Sequence, residues 1–169
     1  MKKSVFGFMF VFAVLLSCRG DEDSLQKVDQ IFNLYMNDIF GKDLLHPNKI
    51  GTYATISFND ALGDTDVANV SFSRKMTADS INYLEYIAGA KRVLLNDSDP
   101  ENKIYYSKIA VSLTKKLTDS TFSAPDIDTL EIRYRFNPSV FEISKVLYNN
   151  SEVTVIKESN TQNVVRIIK

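Results

Sequence analysis

Apolar residues recur along this chain with two different periods, and each period predicts a different kind of element. In residues 24–40 the spacing is helical, with Ser24 before the run as a suitable N-cap and Gly41 after it as a stop. The apolar stripe consists of Leu25, Val28, Ile31, Phe32, Tyr35, Ile39 and Phe40. This pattern predicts an amphipathic N-terminal helix.

Two further segments also favour a helix. Residues 76–96 begin with Thr77 as a plausible N-cap and carry Asp79 in the first turn, where a negative charge suits the helix dipole. Residues 100–118 follow Asp99 as an N-cap, with Pro100 at the first helical position. The β-branched residues within 100–118 leave a strand as the alternative there.

Other segments alternate with a period of two, which is typical of strands. Residues 53–58 and 67–74 predict a hairpin with a long, turn-rich loop between them. The clearest alternation is in 129–136, and 141–148, 153–157 and 164–168 complete an expected meander. Asn149-Asn150 suits a tight turn because asparagine tolerates positive φ. The element order predicts an α+β fold, with helices packed on one face of a mainly antiparallel sheet.

The start of the chain has the layout of a secretory signal. Met1-Lys2-Lys3 is basic, and an apolar run follows that is too short to cross a bilayer. The sequence Leu15-Leu16-Ser17-Cys18 then resembles the lipobox of bacterial lipoproteins. The resemblance covers residues 1–18. It implies cleavage between Ser17 and Cys18, lipid on Cys18, a tether over 18–24 and a single domain over 25–169.

The residues after Cys18 bear on location. Arg19 follows the cysteine, so the aspartate that retains many proteobacterial lipoproteins in the inner membrane is missing, which favours the outer membrane. Asp21, Glu22 and Asp23 are similar to the acidic export tethers of Bacteroidota surface lipoproteins, although those usually lie nearer the cysteine. A simple electrostatic spacer is the alternative, so the domain is expected at the cell surface or facing the periplasm.

A second resemblance also points to Bacteroidota. Four tripeptides match the Asp-Ser/Thr-apolar pattern that these bacteria glycosylate on exported proteins. They begin at Asp23, Asp79, Asp119 and Asp128. Asp-Ser and Asp-Thr are also common turn pairs, so the pattern indicates the phylum rather than a set of sites.

Composition and motifs exclude several kinds of chemistry. Without Lys2 and Lys3, the 20 basic residues fall to 18 against 21 acidic ones, a net charge of −3 that gives no footprint for nucleic acid. Once Cys18 is acylated, no thiol remains for a disulfide, a metal or a nucleophile. The single histidine, His46, has no G-x-S-x-G serine to form a triad with, and it is interpreted as a loop residue.

Three sets of charged residues remain as candidates for binding. Two acidic stretches are candidates for calcium binding, namely Asp60, Asp64 and Asp66, and Asp97, Asp99 and Glu101. They lack the spacing of an EF-hand loop, and turn formation and helix capping explain their acidic residues. Arg133 and Arg135 share the polar side of one predicted strand and are candidates for an anion or partner contact. We therefore predict no metal and no cofactor.

These observations favour a non-enzymatic accessory protein of the cell envelope. It would contact the membrane through lipid on Cys18 and bind an unknown envelope protein partner, but no nucleic acid. Two alternatives remain open. One is a carboxylate-dependent hydrolase of envelope glycan, which would need two converging acids. The other is a small-ligand-binding module that uses the Tyr- and Phe-rich sheet.

Overall fold

A computed structural model describes residues 26–99, 101–157 and 162–169 of the chain. Every regular element in these ranges is a β-strand, and the strands form two sheets. The predicted α+β fold is therefore wrong, because the part that the structure describes contains no helix.

The strands follow one another without helical crossovers. They are β1 (Lys27–Asp29), β2 (Phe32–Asn37), β3 (Tyr53–Asp60), β4 (Phe72–Met76), β5 (Asn82–Tyr86), β6 (Val93–Asn96), β7 (Lys103–Lys115), β8 (Asp126–Phe136), β9 (Val140–Tyr148), β10 (Ser151–Val153), β11 (Val155–Lys157) and β12 (Asn163–Ile168).

One of the two sheets curls into a half-barrel. The large sheet has the order β1-β9-β8-β7-β3. Its centre is the antiparallel meander of β7, β8 and β9. Each outer edge of this meander carries two short strands. β3 and β6 lie along β7, while β10 and a parallel β1 lie along β9.

The small sheet has the order β11-β12-β2-β5-β4. All of its neighbours are antiparallel except β12 and β2, which run parallel. The core lies where the inner faces of the two sheets meet. It is built mainly from alternate positions of β2, β7 and β8, namely Phe32, Leu34, Met36, Ile109, Val111, Leu113, Leu130, Ile132 and Tyr134, which are at most 1% exposed.

The predicted helix over 24–40 is wrong, because residues 27–29 and 32–37 are strands. β2 is buried from Phe32 to Met36, so both of its faces are covered, with Phe32, Leu34 and Met36 on one face and the more polar Asn33 and Tyr35 on the other. Two members of the supposed apolar stripe, Ile39 and Phe40, are 76% and 89% exposed in the turn that follows.

The predicted helix over 76–96 is wrong as well, since this segment holds the end of β4, then β5 and β6. Thr77 does not cap a helix but closes the β4–β5 hairpin. Its amide donates to the Ile81 carbonyl (2.9 Å), and its hydroxyl accepts from the Ile81 amide (3.1 Å). Alternate residues of β5, Asn82, Leu84 and Tyr86, face inward.

Over residues 100–118 the strand alternative is confirmed and the helix is wrong, since β7 is the longest strand in the structure. Its buried positions are Ser107, Ile109, Val111 and Leu113, a period of two. Asp99 is a turn residue rather than a helix cap. Its carboxylate accepts from the amide of Glu101 and the side chain of Asn102, both at 2.9 Å.

Most of the predicted strands are present, but some of them pair with other strands than predicted. Residues 129–136 and 141–148 form the antiparallel pair β8 and β9. The hairpin of 53–58 with 67–74 is wrong as a continuous ladder, because β3 belongs to the large sheet and β4 to the small one. Only an antiparallel bridge between Asn59 and Asn69 joins the near ends of the two described segments. The meander also breaks at Thr154, where the chain passes from β10 to β11 in the other sheet. Asn149 and Asn150 do adopt positive φ, 50° and 65°, as expected for the tight turn.

Candidate functional site

An open groove lies between the two sheets, where the edge strands β3 and β4 face each other. Its volume is about 580 Å³, and its walls and floor include Ile56, Phe58, Val70, Phe72, Arg74 and Leu84. The groove exists because β3 pairs with β7 and β4 pairs with β5, while the opposite side of each strand has no neighbouring strand.

Aromatic rings fix the floor of the groove. The rings of Phe58 and Phe72 stack with centroids 3.8 Å apart and planes at 17°. Phe72 also packs against Tyr86 at 4.9 Å and edge-on to Phe32 at 6.2 Å, and both of these are fully buried. The floor is therefore a rigid apolar surface that continues into the core.

On the side of β3 that faces the groove, most backbone groups of the described part have partners, and those of Ile56 are left without one. The Phe58 carbonyl accepts from the Val70 amide (3.0 Å), and the Asp60 amide donates to the Ala68 carbonyl (2.8 Å), so both groups point away from β7. Every second residue of a strand directs its N–H and C=O to the same side. The N–H and C=O of Ile56, two positions before Phe58, therefore also point away from β7 and toward the groove. No strand of the described part pairs with them there.

Arg74 spans the groove at one end. Its guanidinium donates to the carbonyls of Tyr53 (3.2 Å) and Ala54 (3.4 Å), so it covers the start of the β3 edge. Burial lowers the pKa of Arg74 from its usual value, although Asp43 opposes this effect. The open edge of β3 therefore begins at Ile56, and the guanidinium, which stays charged, gives the groove a half-buried cation.

The sequence of this edge is unusual for an unpaired strand. Natural edge strands are commonly protected by a lysine, a proline or a bulge. Residues 54–58, Ala-Thr-Ile-Ser-Phe, contain neither a charge nor a proline, and the register shift of β3 lies at their start, between Tyr53 and Thr55. An edge of this kind suits the addition of an extended polypeptide, whose backbone pairs with the strand while alternate side chains enter the groove above its aromatic floor.

Arg133 and Arg135 lie elsewhere, on the outer face of the large sheet. Arg133 pairs with Glu131 of the same strand at 2.8 Å, and Arg135 pairs with Glu142 of β9. Glu142 also contacts Lys157 at 3.3 Å. Both arginines thus have carboxylate partners within the molecule, and neither lines the groove.

The lone histidine organises a turn. His46 Nδ1 accepts from the Asn48 amide (3.2 Å), and its carbonyl accepts from the buried Thr52 hydroxyl (2.5 Å). The acidic loops are also tied into turns. Asp60 accepts from the amides of Leu62 (2.9 Å) and Lys91 (2.5 Å). In the described ranges, no three His, Cys, Asp or Glu side chains come together to hold a metal.

A pair of acids does converge at the end of the large sheet. Asp126 and Asp128 both contact Lys169 Nζ at 2.5 Å, and Asp128 also accepts from the Tyr148 hydroxyl and from Asn149 Nδ2 (2.7 Å). Burial favours a higher pKa for Asp128, but the hydrogen bonds from Lys169, Tyr148 and Asn149 outweigh it and hold this pKa below its usual value. Such a carboxylate stays ionised and is unsuited to be the proton donor of a hydrolase.

Several candidate residues cannot be placed. Ser17, Cys18 and the acidic tether of Asp21, Glu22 and Asp23 lie outside the described residues. The residues that are described form no helix of the length and apolarity needed to cross a membrane.

Comparisons with models of protein families, with curated proteins and with solved structures find no match to this chain. The features of the chain that bear on function are the geometry of the groove and the sequence of the first 23 residues. Sequence reasoning missed the groove because it paired residues 67–74 with 53–58, which would have closed the free edge of β3. The signal that could have found it is the uncharged stretch 54–58.

Proposed function

We propose that this protein is a lipid-anchored protein of the outer membrane that binds an extended segment of an envelope protein partner. The segment would add as a strand to the free edge of β3. The observation that supports this most directly is the edge itself, with its unpaired Ile56 backbone, the absence of charged residues within 54–58 and the aromatic floor of the groove beside it. The proposed anchor is lipid on Cys18, supported by the lipobox resemblance.

The shape of the groove indicates the chemistry of the partner segment. Apolar side chains at alternate positions would face Phe58, Phe72 and Leu84. Near the Arg74 end, a side-chain carboxylate would meet the guanidinium. The hydrolase alternative has weaker support, because Asp128 is held ionised by three donors within the protein.

Site-specific photo-crosslinking in intact cells tests the proposal. A photo-reactive residue at Ser57, which is exposed and lines the groove, should capture a protein partner, whereas one at Ser98 in the β6–β7 turn should not. Ile56→Lys places an ammonium group in the groove and should abolish capture at Ser57. Ile127→Lys adds the same charge at a position that is 63% exposed elsewhere and should leave capture intact.

Two results would contradict this function. Capture at Ser57 that persists in Ile56→Lys would place the contact outside the groove. A crosslink to a second copy of the same chain, together with a dimer in light scattering that Ile56→Lys dissociates, would make the edge a self-association surface instead.

The side of the membrane is a separate part of the proposal, and we favour the cell surface. Three adjacent carboxylates at Asp21, Glu22 and Asp23 support an export tether. Protease treatment of intact cells should digest the wild-type domain and spare a variant in which all three are alanine, with a periplasmic protein as the control for cell integrity. A wild-type domain that is itself protected would make these residues a spacer and place the domain in the periplasm.

A further inference from the structure

A second cavity, remote from the groove, lies where β1 runs beside β9 at the other edge of the large sheet. Its volume is about 400 Å³, within the usual range of small-ligand sites. The lining includes Gln26, Gln30, Arg92, Tyr105, Phe136 and Phe141. The aromatic rings thus form one wall of the cavity, and the Arg92 guanidinium and the side-chain amides of Gln26 and Gln30 form the rest of the named lining.

Arg92 is held in a fixed orientation in this cavity. Its guanidinium carbon lies 4.8 Å from the ring centroid of Phe141 and 5.2 Å from that of Tyr134. One of its terminal nitrogens donates to the Gln30 side-chain oxygen. Stacking on rings leaves the edge of a guanidinium available to bind an anion in its plane.

The charge of Arg92 is not neutralised by the described residues. Arg133 and Arg135 each pair with a glutamate, whereas no described carboxylate forms an ion pair with Arg92. Gln30, the group that contacts it, is neutral. An exposed, oriented arginine that has no carboxylate partner in the described part of the chain, set beside an aromatic cavity, is suited to bind an anion that carries an apolar group.

The aromatic side of the cavity would contact the apolar group of such an anion. Phe136 packs edge-on against Tyr105 at 6.0 Å and against Phe141 at 6.4 Å. These three side chains make a continuous ring surface next to the guanidinium. A ligand of matching shape therefore has an acidic head at Arg92 and a short apolar body against Phe136.

We propose that this cavity binds an amphipathic anion, a carboxylate, sulfonate or phosphate attached to an aryl group or a short acyl chain. The proposal is independent of the partner-binding groove. Gln26, at the mouth of the cavity, is eight residues from Cys18 in the sequence. A chain of that length spans at most about 28 Å, so in a lipid-anchored protein the cavity stays close to the membrane surface, where acyl anions are available.

Calorimetric titration of the full chain in an uncharged detergent tests this, with naphthalenesulfonate as the anionic probe and naphthalenemethanol as its neutral counterpart. Titrations into detergent without protein provide the baseline. Arg92→Gln should lower the affinity for naphthalenesulfonate about tenfold or more and change the affinity for naphthalenemethanol by less than about twofold. Gln30→Glu, which supplies an internal carboxylate to Arg92, should have the same selective effect.

The matched control is Arg133→Gln, which removes an arginine that already has a glutamate partner and should leave both probes unchanged. Equal naphthalenesulfonate affinity in Arg92→Gln and wild type would overturn the proposal, and so would an equal loss in Arg133→Gln. Competition then distinguishes the two sources of anion. Displacement by octanoate indicates an acyl ligand, displacement by naphthoate indicates an aryl ligand, and displacement by neither also overturns the proposal.

Discussion

Phe58 and Phe72 belong to different sheets, yet their rings stack with centroids 3.8 Å apart at the floor of the groove. No continuous ladder joins β3 to β4; a single bridge pairs Asn59 with Asn69. The ring pair is therefore a principal contact that holds the two edges in place, and its loss should affect both stability and the groove.

We expect Phe72→Ala to lower the free energy of unfolding by about 3 kcal/mol, because it removes a partly buried ring that contacts Phe32, Phe58 and Tyr86 and deepens the groove between the sheets. Urea denaturation followed by circular dichroism measures the change. Phe40→Ala is the matched control, since Phe40 is 89% exposed and its loss should cost less than about 0.5 kcal/mol. Similar effects of the two substitutions would contradict this account of the groove.

Asp128 predicts a pH dependence of stability. Because the folded-state pKa is lowered, its contribution is fully present above the ordinary pKa of about 4 and is lost as the pH falls through the folded value. Asp128→Asn should lower stability by about 2 kcal/mol at neutral pH, since it leaves Lys169 and Tyr148 without this carboxylate. The difference in free energy of unfolding between Asp128→Asn and wild type should become smaller at acid pH.

Denaturation curves over a series of pH values check this prediction. Asp119→Asn is the control, because Asp119 pairs with Lys116 but its side chain is 92% exposed, so its loss should change stability by less than about 0.5 kcal/mol. A gap between Asp128→Asn and wild type that stays constant down to low pH would rule out the ionised carboxylate as its source.

Two substitutions in the turn between β9 and β10 should affect stability differently. Asn150 has a φ of 65°, which alanine adopts at a cost and glycine adopts freely. Asn150→Ala should lower stability by about 1 kcal/mol, and Asn150→Gly should leave it unchanged or slightly raised. Thermal unfolding measures both. A loss in Asn150→Gly as large as in Asn150→Ala would mean that the Asn150 side chain stabilises the turn by its own contacts.

Lipidation predicts the behaviour of Cys18→Ala. Metabolic labelling with a fatty-acid analogue should mark the wild-type protein only, because the sulfur is the atom that would carry the diacyl group. The precursor of the variant should remain uncleaved or mislocalised. Equal labelling of variant and wild type would remove the basis for the anchor.

The fold was predicted from sequence only where alternation had no competing interpretation. In residues 129–136, every second residue is apolar and charged residues lie between them, so only a strand fits. In β7, Ile109 and Leu113 are four positions apart, which places them on one face of a helix and also on one face of a strand. Val111 between them favours the strand, because it shares a face with Ile109 and Leu113 in an extended chain but not in a helix.

Capping signals failed for a related reason. A side-chain oxygen that accepts from an amide a few residues later caps a helix, but it also closes a turn. Thr77 and Asp99 make such bonds in hairpin turns. The groove could not be predicted because it arises from the assignment of β3 and β4 to different sheets, which depends on contacts distant in sequence.

The parallel pairing of β2 with β12 has a consequence for how the protein folds. The Asn163 side chain donates to the Ile31 carbonyl at 3.0 Å, although the two residues are 132 positions apart. Contacts of this separation raise the contact order and slow folding, because almost the whole chain must be ordered before they form. During synthesis the small sheet cannot close until its last strand has emerged. A chain exported as proposed would therefore remain unfolded long enough to be threaded across the inner membrane.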